Sequence, residues 1–185
     1  MRIAVPLRRA YKLINHGPTT LITTAHGDRR NVMTAAWVMA IDYDPARVVA
    51  VIAADTLTRR LVEASGEFIV NVPTVKMIDA VYAAGKASGD DEDKFDIHAL
   101  ATSPASIVAA PLLDDCAAWL ECKVIPEPHM QEAYDMFVAE VVAAWADDAL
   151  FADGSWTFPS AEDRTLHHLS SGVFLTSGEI VKAKP

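Results

Sequence analysis

Short runs of β-branched and apolar residues recur along this chain, each closed by a turn signal, and their spacing restricts the fold more than anything else. Thr19 to Ala25 is rich in β-branched residues and reads as a strand. His26-Gly27-Asp28 is a turn, so the next run, Asn31 to Met39, is expected to pair back as a hairpin. Val48 to Ala54 is apolar on both faces and reads as a buried strand, and Phe68 to Val72 is a fourth, ended by Pro73. Ala117 to Val124 and Phe137 to Trp145 follow, parted by the break Pro126-Glu127-Pro128-His129. The second of these is Ala-rich enough for a helix. Its valines, and an alternation that puts Val138, Glu140 and Val142 on one face, favour a strand. A short strand is expected at Val173 to Thr176.

Helical pattern is confined to three places. One is a short stretch near Tyr11 to Ile14, and another runs from Thr58 to Ala64 with Gly66 as its stop. The third starts near Thr74, carries Val75, Ile78, Val81 and Tyr82 on one face, and ends at Gly85. Ser88 to Phe95 is polar and acidic and reads as a loop. Many closely spaced strands with so few helices imply a mainly β fold built on a small barrel.

A length of 185 residues fits one domain spanning residues 1–185, long enough to bury a substantial core. The net charge of −9 argues against a nucleic-acid partner, which needs a basic face to displace counterions, and against an anionic membrane surface. Two cysteines, Cys116 and Cys122, are too few for a disulfide framework and read as small buried hydrophobes. Pro6, Arg8 and Arg9 interrupt any signal-peptide core, and no apolar run approaches the roughly 20 residues that span a bilayer. A cytoplasmic location is expected.

In so acidic a chain, clustered basic groups stand out. Asp55-Thr56-Leu57-Thr58-Arg59-Arg60 follows the third strand and opens a helix. Free N–H groups of a first helical turn, hydroxyls and guanidinium groups together suit a phosphate. A Thr or Asp cap followed by a solvated basic turn is the other reading.

Several segments then coincide in order with one family. Asn31-Val32-Met33-Thr34-Ala35-Ala36-Trp37 is followed by a strand and Thr56-Leu57-Thr58. Next come Phe68-Ile69-Val70-Asn71-Val72-Pro73, Ser88-Gly89 with Asp93-Lys94-Phe95, and Leu120-Glu121-Cys122-Lys123. Together they resemble the flavin reductase-like, FMN-binding split-barrel family, and its flavoredoxin-like members in particular. The match covers roughly residues 12 to 145.

The resemblance implies a six-stranded Greek-key split barrel that forms a homodimer, with FMN in a groove near the subunit interface. It implies backbone contacts to the flavin from Thr34, Ala35 and Ala36, a hydrogen bond from Asn31, and packing of Trp37 on the ring or the ribityl chain. The flavin phosphate would sit on the turn Asp55, Thr56, Thr58, Arg59, and Lys94 would hold the phosphate or reach the ring. An ion pair of Lys94 with its acidic neighbours is the alternative. Asn71, Ser88, His129 and His168 complete the implied set, with His167 beside the last.

A metal reading of the histidines fails, since adjacent side chains rarely converge on one ion and no H-E-x-x-H motif exists. The implied activity is that of an NAD(P)H:flavin reductase or of a flavoredoxin-like electron-transfer protein. Hydride would pass from NADH or NADPH to flavin N5, and the reduced flavin would either be released or pass electrons to an acceptor protein or a monooxygenase. Such chemistry belongs to the cofactor, in keeping with the absence of a G-x-S-x-G or Cys-His arrangement. A module that carries flavin without turnover, or a barrel that binds another phosphorylated ligand, are the competing readings.

Overall fold

The computed structural model describes residues 1–184 and rolls all the expected strands but Val173–Thr176 into one antiparallel sheet. β1 (Arg2–Ala4) leads into the short helix α1 (Leu7–Ala10) and a 3-10 turn over Tyr11–Leu13. β2 (Thr20–His26) and β3 (Arg29–Ala35) form the expected hairpin, which turns at Gly27 with φ 57°. A positive φ there is what glycine tolerates without strain. β4 (Val38–Tyr43) and β5 (Ala46–Val51) follow, then α2 (Leu57–Ser65), stopped by Gly66 in the left-handed conformation. β6 (Glu67–Val72), α3 (Ile78–Lys86) and α4 (Lys94–Ile97) come next. β7 (Thr102–Ser103) pairs with β8 (Leu112–Leu113) beside β9 (Ala118–Val124). After α5 (Pro128–Tyr134), the long strand β10 (Met136–Asp147) crosses the molecule. Two hairpins end the chain, β11 (Phe151–Ala152) with β12 (Ser155–Trp156), and β13 (Leu166–Ser170) with β14 (Val173–Thr176).

The sheet order is β3-β2-β6-β9-β10-β5-β4, with β1 paired to β10 off this path. The eight strands exceed the expected six for two reasons. β1 adds itself opposite Trp145–Asp147, and the run Asn31 to Met39 is two strands instead of one. At Ala36-Trp37 the chain leaves β2, and β4 pairs with β5, Val38 opposite Ala50. The two ends of this strand path, β3 and β4, are therefore consecutive in the chain. A seam without ladder hydrogen bonds separates them, bridged by two residues.

Alternation along β10 shows why it is a strand. Phe137, Ala139 and Val141 are buried while Glu140 faces solvent, and a bulge between Val141 and Ala143 resets the phase so that Ala144 and Ala146 point inward again. The inner face packs Ile22, Val48, Phe68, Val70, Leu120 and Phe137 into one core. Truncating a residue such as Phe68 there costs about 3–5 kcal/mol through lost burial and the cavity left behind. On the outer face, Leu21, Val32, Ile69 and Trp119 lie under α3, α4 and the 104–116 segment, packed against Val81, Phe95 and Leu113.

Three local expectations change. α3 runs through Gly85 to Lys86, because the missing Cβ lets it sit close on Thr34, which an added Cβ would meet at 3.2 Å. Lys94 and Phe95 lie in a short helix, since Asp93 accepts the N–H groups of Phe95 and Asp96. The break at Pro126 to His129 opens α5, with Pro128 in the first turn where its missing N–H costs nothing.

Candidate functional site

Thr56 caps α2, accepting the Arg59 N–H at 3.2 Å while its own hydroxyl donates to the Ala53 carbonyl at 2.8 Å. The N–H groups of Leu57 and Thr58 have no acceptor within the helix, as first-turn donors never do. Opposite this turn, Asn31 on β3 donates its amide to the Thr58 hydroxyl at 2.9 Å, and both residues are buried. Gly89 lies against the same amide, where an added Cβ would come within 2.2 Å of Asn31 Oδ1.

These elements enclose a cavity of about 300 Å³. Asp55, Thr56, Leu57 and Thr58 form one wall, Asn31, Met33 and Thr34 the floor, and Ala84 to Gly89 with Lys94 the other wall. Seven of the residues singled out from the sequence thus meet at one place: Asn31, Thr34, Asp55, Thr56, Thr58, Ser88 and Lys94.

Lys94 is not paired with its acidic neighbours. Arg30 binds Asp93 and Asp96, and Arg60 binds Asp90. The Lys94 ammonium is instead buried, donating to the Val32 carbonyl at 3.1 Å and the Ala84 carbonyl at 2.8 Å. Burial lowers its pKa, against a small opposing pull from Glu92. An ammonium has three donors, so one remains for the cavity.

The free edge of β3 completes the arrangement. Lys94 approaches the Val32 carbonyl from the side away from β2, and backbone direction alternates along a strand. Thr34 therefore turns its N–H and C=O groups to the same open edge, and Ala36 follows just beyond the strand. Ala35 faces the other way, its carbonyl accepting the Thr20 hydroxyl at 3.1 Å. Small residues there permit close approach by a flat ligand.

Other expected residues stand elsewhere. Arg59 turns away from the cavity and is buried, bound to the Ile52 carbonyl, Asp135, the Gln131 carbonyl and Glu63, with its guanidinium 4.7 Å from the Phe137 ring centre. It ties α2 to α5, so its place in the phosphate turn is withdrawn. Asn71 is fully buried, stitching β6 to the Leu21 carbonyl and the Leu113 N–H. Its role is structural. His129 is exposed on α5, edge-on to Tyr134, and does not line the cavity. Trp37 is 75% exposed at the seam.

His168 does approach. It lines a second cavity of about 290 Å³ with Tyr82 and Phe174, and that cavity shares Thr34, Gly85 and Lys86 with the first. His167 points away, its Nδ1 3.0 Å from the Gly17 carbonyl and its ring 5.7 Å from that of His16. Burial, then the charge of His167, pushes His16 down to a pKa of about 4. Tyr82, Gly85, Lys86, Gly89 and Phe174 were not anticipated as site residues. The helical stripe that carries Tyr82 and the Ser88-Gly89 segment of the resemblance were the signals in sequence for them. Among the described residues, no group of three His, Cys, Asp or Glu could hold a metal ion, and no helix is long and apolar enough to cross a membrane.

This geometry has close counterparts. Residues 14–160 match the model of the flavin reductase like domain. The chain belongs to that family. It is 41% identical to the uncharacterized protein YddH of Escherichia coli K12, over 98% of this chain and 97% of YddH. The structure of an FMN-binding domain of a flavin reductases-like enzyme from Shewanella baltica superposes with a TM-score of 0.97 at 38% identity, covering 100% of this chain and 98% of that one. Flavoredoxin of Desulfovibrio vulgaris shares the fold, with a TM-score of 0.79 at 23% identity over 90% of each chain. The fold is accordingly the mainly β split barrel of this family, its sheet left open at the seam.

Proposed function

We propose that this chain is a single-domain flavoprotein oxidoreductase that binds FMN across the seam. The observation that carries this reading is the buried Lys94 ammonium, held over the cavity with one donor unengaged, facing the first turn of α2. A monophosphate fits that pairing of a fixed cation with free helical N–H groups, and no glycine-rich pyrophosphate loop is needed. The Leu57 and Thr58 N–H groups and the Thr58 hydroxyl would hold the phosphate oxygens. The open backbone of Thr34 and Ala36 would meet the donor and acceptor groups of the isoalloxazine edge.

FMN supplies hydride and single-electron chemistry at its N5 position. The protein orients the ring along β3, screens one face from water and neutralises the phosphate. NADH or NADPH is the electron donor in this reading, and an acceptor protein or a monooxygenase receives the electrons. The cytoplasm is the proposed location, where the free, buried Cys116 and Cys122 stay reduced.

We further propose a homodimer. Partners across antiparallel strands share a face, so Met39, Val49 and Val138 stand abreast on the outer side of β4, β5 and β10. Met39 is 58% exposed, and Trp37 and Ile41 flank it. A second copy laid on this face would cover Trp37 beside the open edge of β3 and so bring it to the flavin.

The anaerobic spectrum of the FMN-loaded protein tests the activity. Bleaching of the flavin by NADH or NADPH is expected. A protein that retains no FMN overturns the cofactor reading, and one that retains FMN but does not bleach is a carrier or an electron-transfer protein and not a reductase.

A further inference from the structure

We propose that a third cavity, formed where residues 12–16, 154–158 and 177–180 meet, binds a flat aromatic ring that carries one acidic group. This cavity holds about 420 Å³, against about 300 Å³ for the one at α2. It shares no lining residue with that cavity or with the one that His168 lines. The FMN reading makes no use of it.

Three rings shape its wall. Trp156 stacks on Phe158, with ring centres 5.7 Å apart and planes 12° from parallel. His16 meets the same indole edge-on at 5.6 Å. The Trp156 N–H already donates to the Lys12 carbonyl at 3.0 Å, so the indole offers a guest its π-surface and no hydrogen bond. His16 is engaged as well, its Nε2 2.9 Å from the Thr165 hydroxyl, and a pKa of about 4 keeps it uncharged near neutral pH. A wall of fixed rings with few free polar groups favours a planar aromatic guest.

Lys12 supplies the charge. Its ammonium donates to the Gly154 carbonyl at 3.2 Å, which leaves two of its three donors for the cavity. Arg9, just outside the lining, converges on the same glycine: a Cβ added to Gly154 would lie 3.4 Å from both Lys12 Nζ and Arg9 Nη1. Arg8, Arg30, Arg47, Arg59 and Arg60 each hold a carboxylate. Among the described residues, neither Arg9 nor Lys12 does. Two neighbouring cations without a counter-charge, in a chain of net charge −9, suit an anionic group. Glu179 also lines the cavity, so one acidic group at the Lys12 end is accommodated and a polyanion is repelled.

Calorimetric titration of the full chain with naphthoate and with uncharged naphthamide, each with and without excess FMN, tests the site. We expect saturable binding of one naphthoate per chain, naphthamide about tenfold weaker for want of the charged hydrogen bond, and no effect of FMN on either. Lys12→Gln should lower naphthoate to the affinity of the amide and leave naphthamide as it was. Phe158→Leu should weaken both alike, since the ring contact is common to them. Lack of saturable naphthoate binding, equal affinity for acid and amide, or a naphthoate affinity that Lys12→Gln does not change overturns the proposal. Displacement of naphthoate by FMN overturns it too, by placing the ring in the flavin cavity. Each of these results leaves the FMN reading standing.

Discussion

Asn31 donates its side-chain amide to the hydroxyl of Thr58 across 2.9 Å, joining an edge strand to the first turn of a helix far from it in sequence. The bond fixes the Thr58 oxygen as an acceptor and leaves its proton directed elsewhere. In Thr58→Val the shape is kept and both functions are lost. We expect flavin affinity to fall about tenfold and stability to fall by about 1–3 kcal/mol, because a buried amide is left without a partner. Calorimetric titration and a denaturant melt measure the two losses separately.

Gly89→Ala tests the packing on the same amide. The new methyl group would come within 2.2 Å of Asn31 Oδ1, so Asn31 or the loop must move. Flavin retention on a desalting column should drop sharply while circular dichroism stays that of wild type. Full retention would show that the cavity floor tolerates the shift.

Lys94→Met keeps much of the volume and removes the charge. FMN should bind ten- to a hundredfold more weakly, on the order of 1–3 kcal/mol for a charged hydrogen bond in a partly desolvated site. Riboflavin should be affected less. The pH dependence follows from the lowered pKa of Lys94: FMN affinity declines as pH rises through that value, earlier than for an ordinary lysine. Phosphate binding opposes the decline, so the protein with FMN bound should lose its proton at higher pH than the free protein.

Glu121 offers a pH effect away from the flavin. Fully buried on β9, it accepts the N–H groups of Ser106, Ile107 and Val108, the Ser106 hydroxyl and the Trp145 indole. Burial pushes its pKa up, but the Ser106 N–H and the Trp145 indole with the other donors outweigh that, and the net shift is downward. A carboxyl lowered in the folded state stabilises above its unfolded pKa, and the gain is lost as pH falls through the folded value. Glu121→Gln should therefore cost about 2 kcal/mol near neutral pH, and the gap to wild type should close in acid. Thermal melts at pH 7 and pH 3 decide it.

Met39→Lys places a charge in the middle of the apolar row on β4. Sedimentation should report a dimer for wild type and a monomer for the variant. A variant that stays dimeric assigns the contact to another face.

Much of this was legible in sequence because strands and their turns leave local marks. Gly27 and Gly66 stop elements where expected, and the valines of β10 overrode its alanines. The run Asn31 to Met39 reads as one strand but forms parts of two. Past Asn31 it holds no glycine, proline or other turn residue, and only three-dimensional pairing reveals that Ala36-Trp37 passes between two edges. Thr58 and Lys94 carried their chemistry in their types and order. Arg59 and Asn71 did not, since the direction of a long side chain depends on partners such as Asp135 and Leu113 that lie far off in the chain. Asp90 misled in another way, as its neighbours suggested a partner for Lys94 when Arg60 had already taken it.

The two-residue bridge has a consequence for how an exposed edge is kept safe. Unpaired strand edges ordinarily invite foreign strands and so promote aggregation. Here Ala35 and Val38, the last residue of one edge and the first of the other, are three chain steps apart, which caps their separation at about 10 Å. The molecule thus keeps a length of unsatisfied backbone available to a flat guest while its own covalent chain limits how wide that doorway can open. Lengthening the bridge by a few glycines would relax that limit, and the cost would surface as self-association in solution.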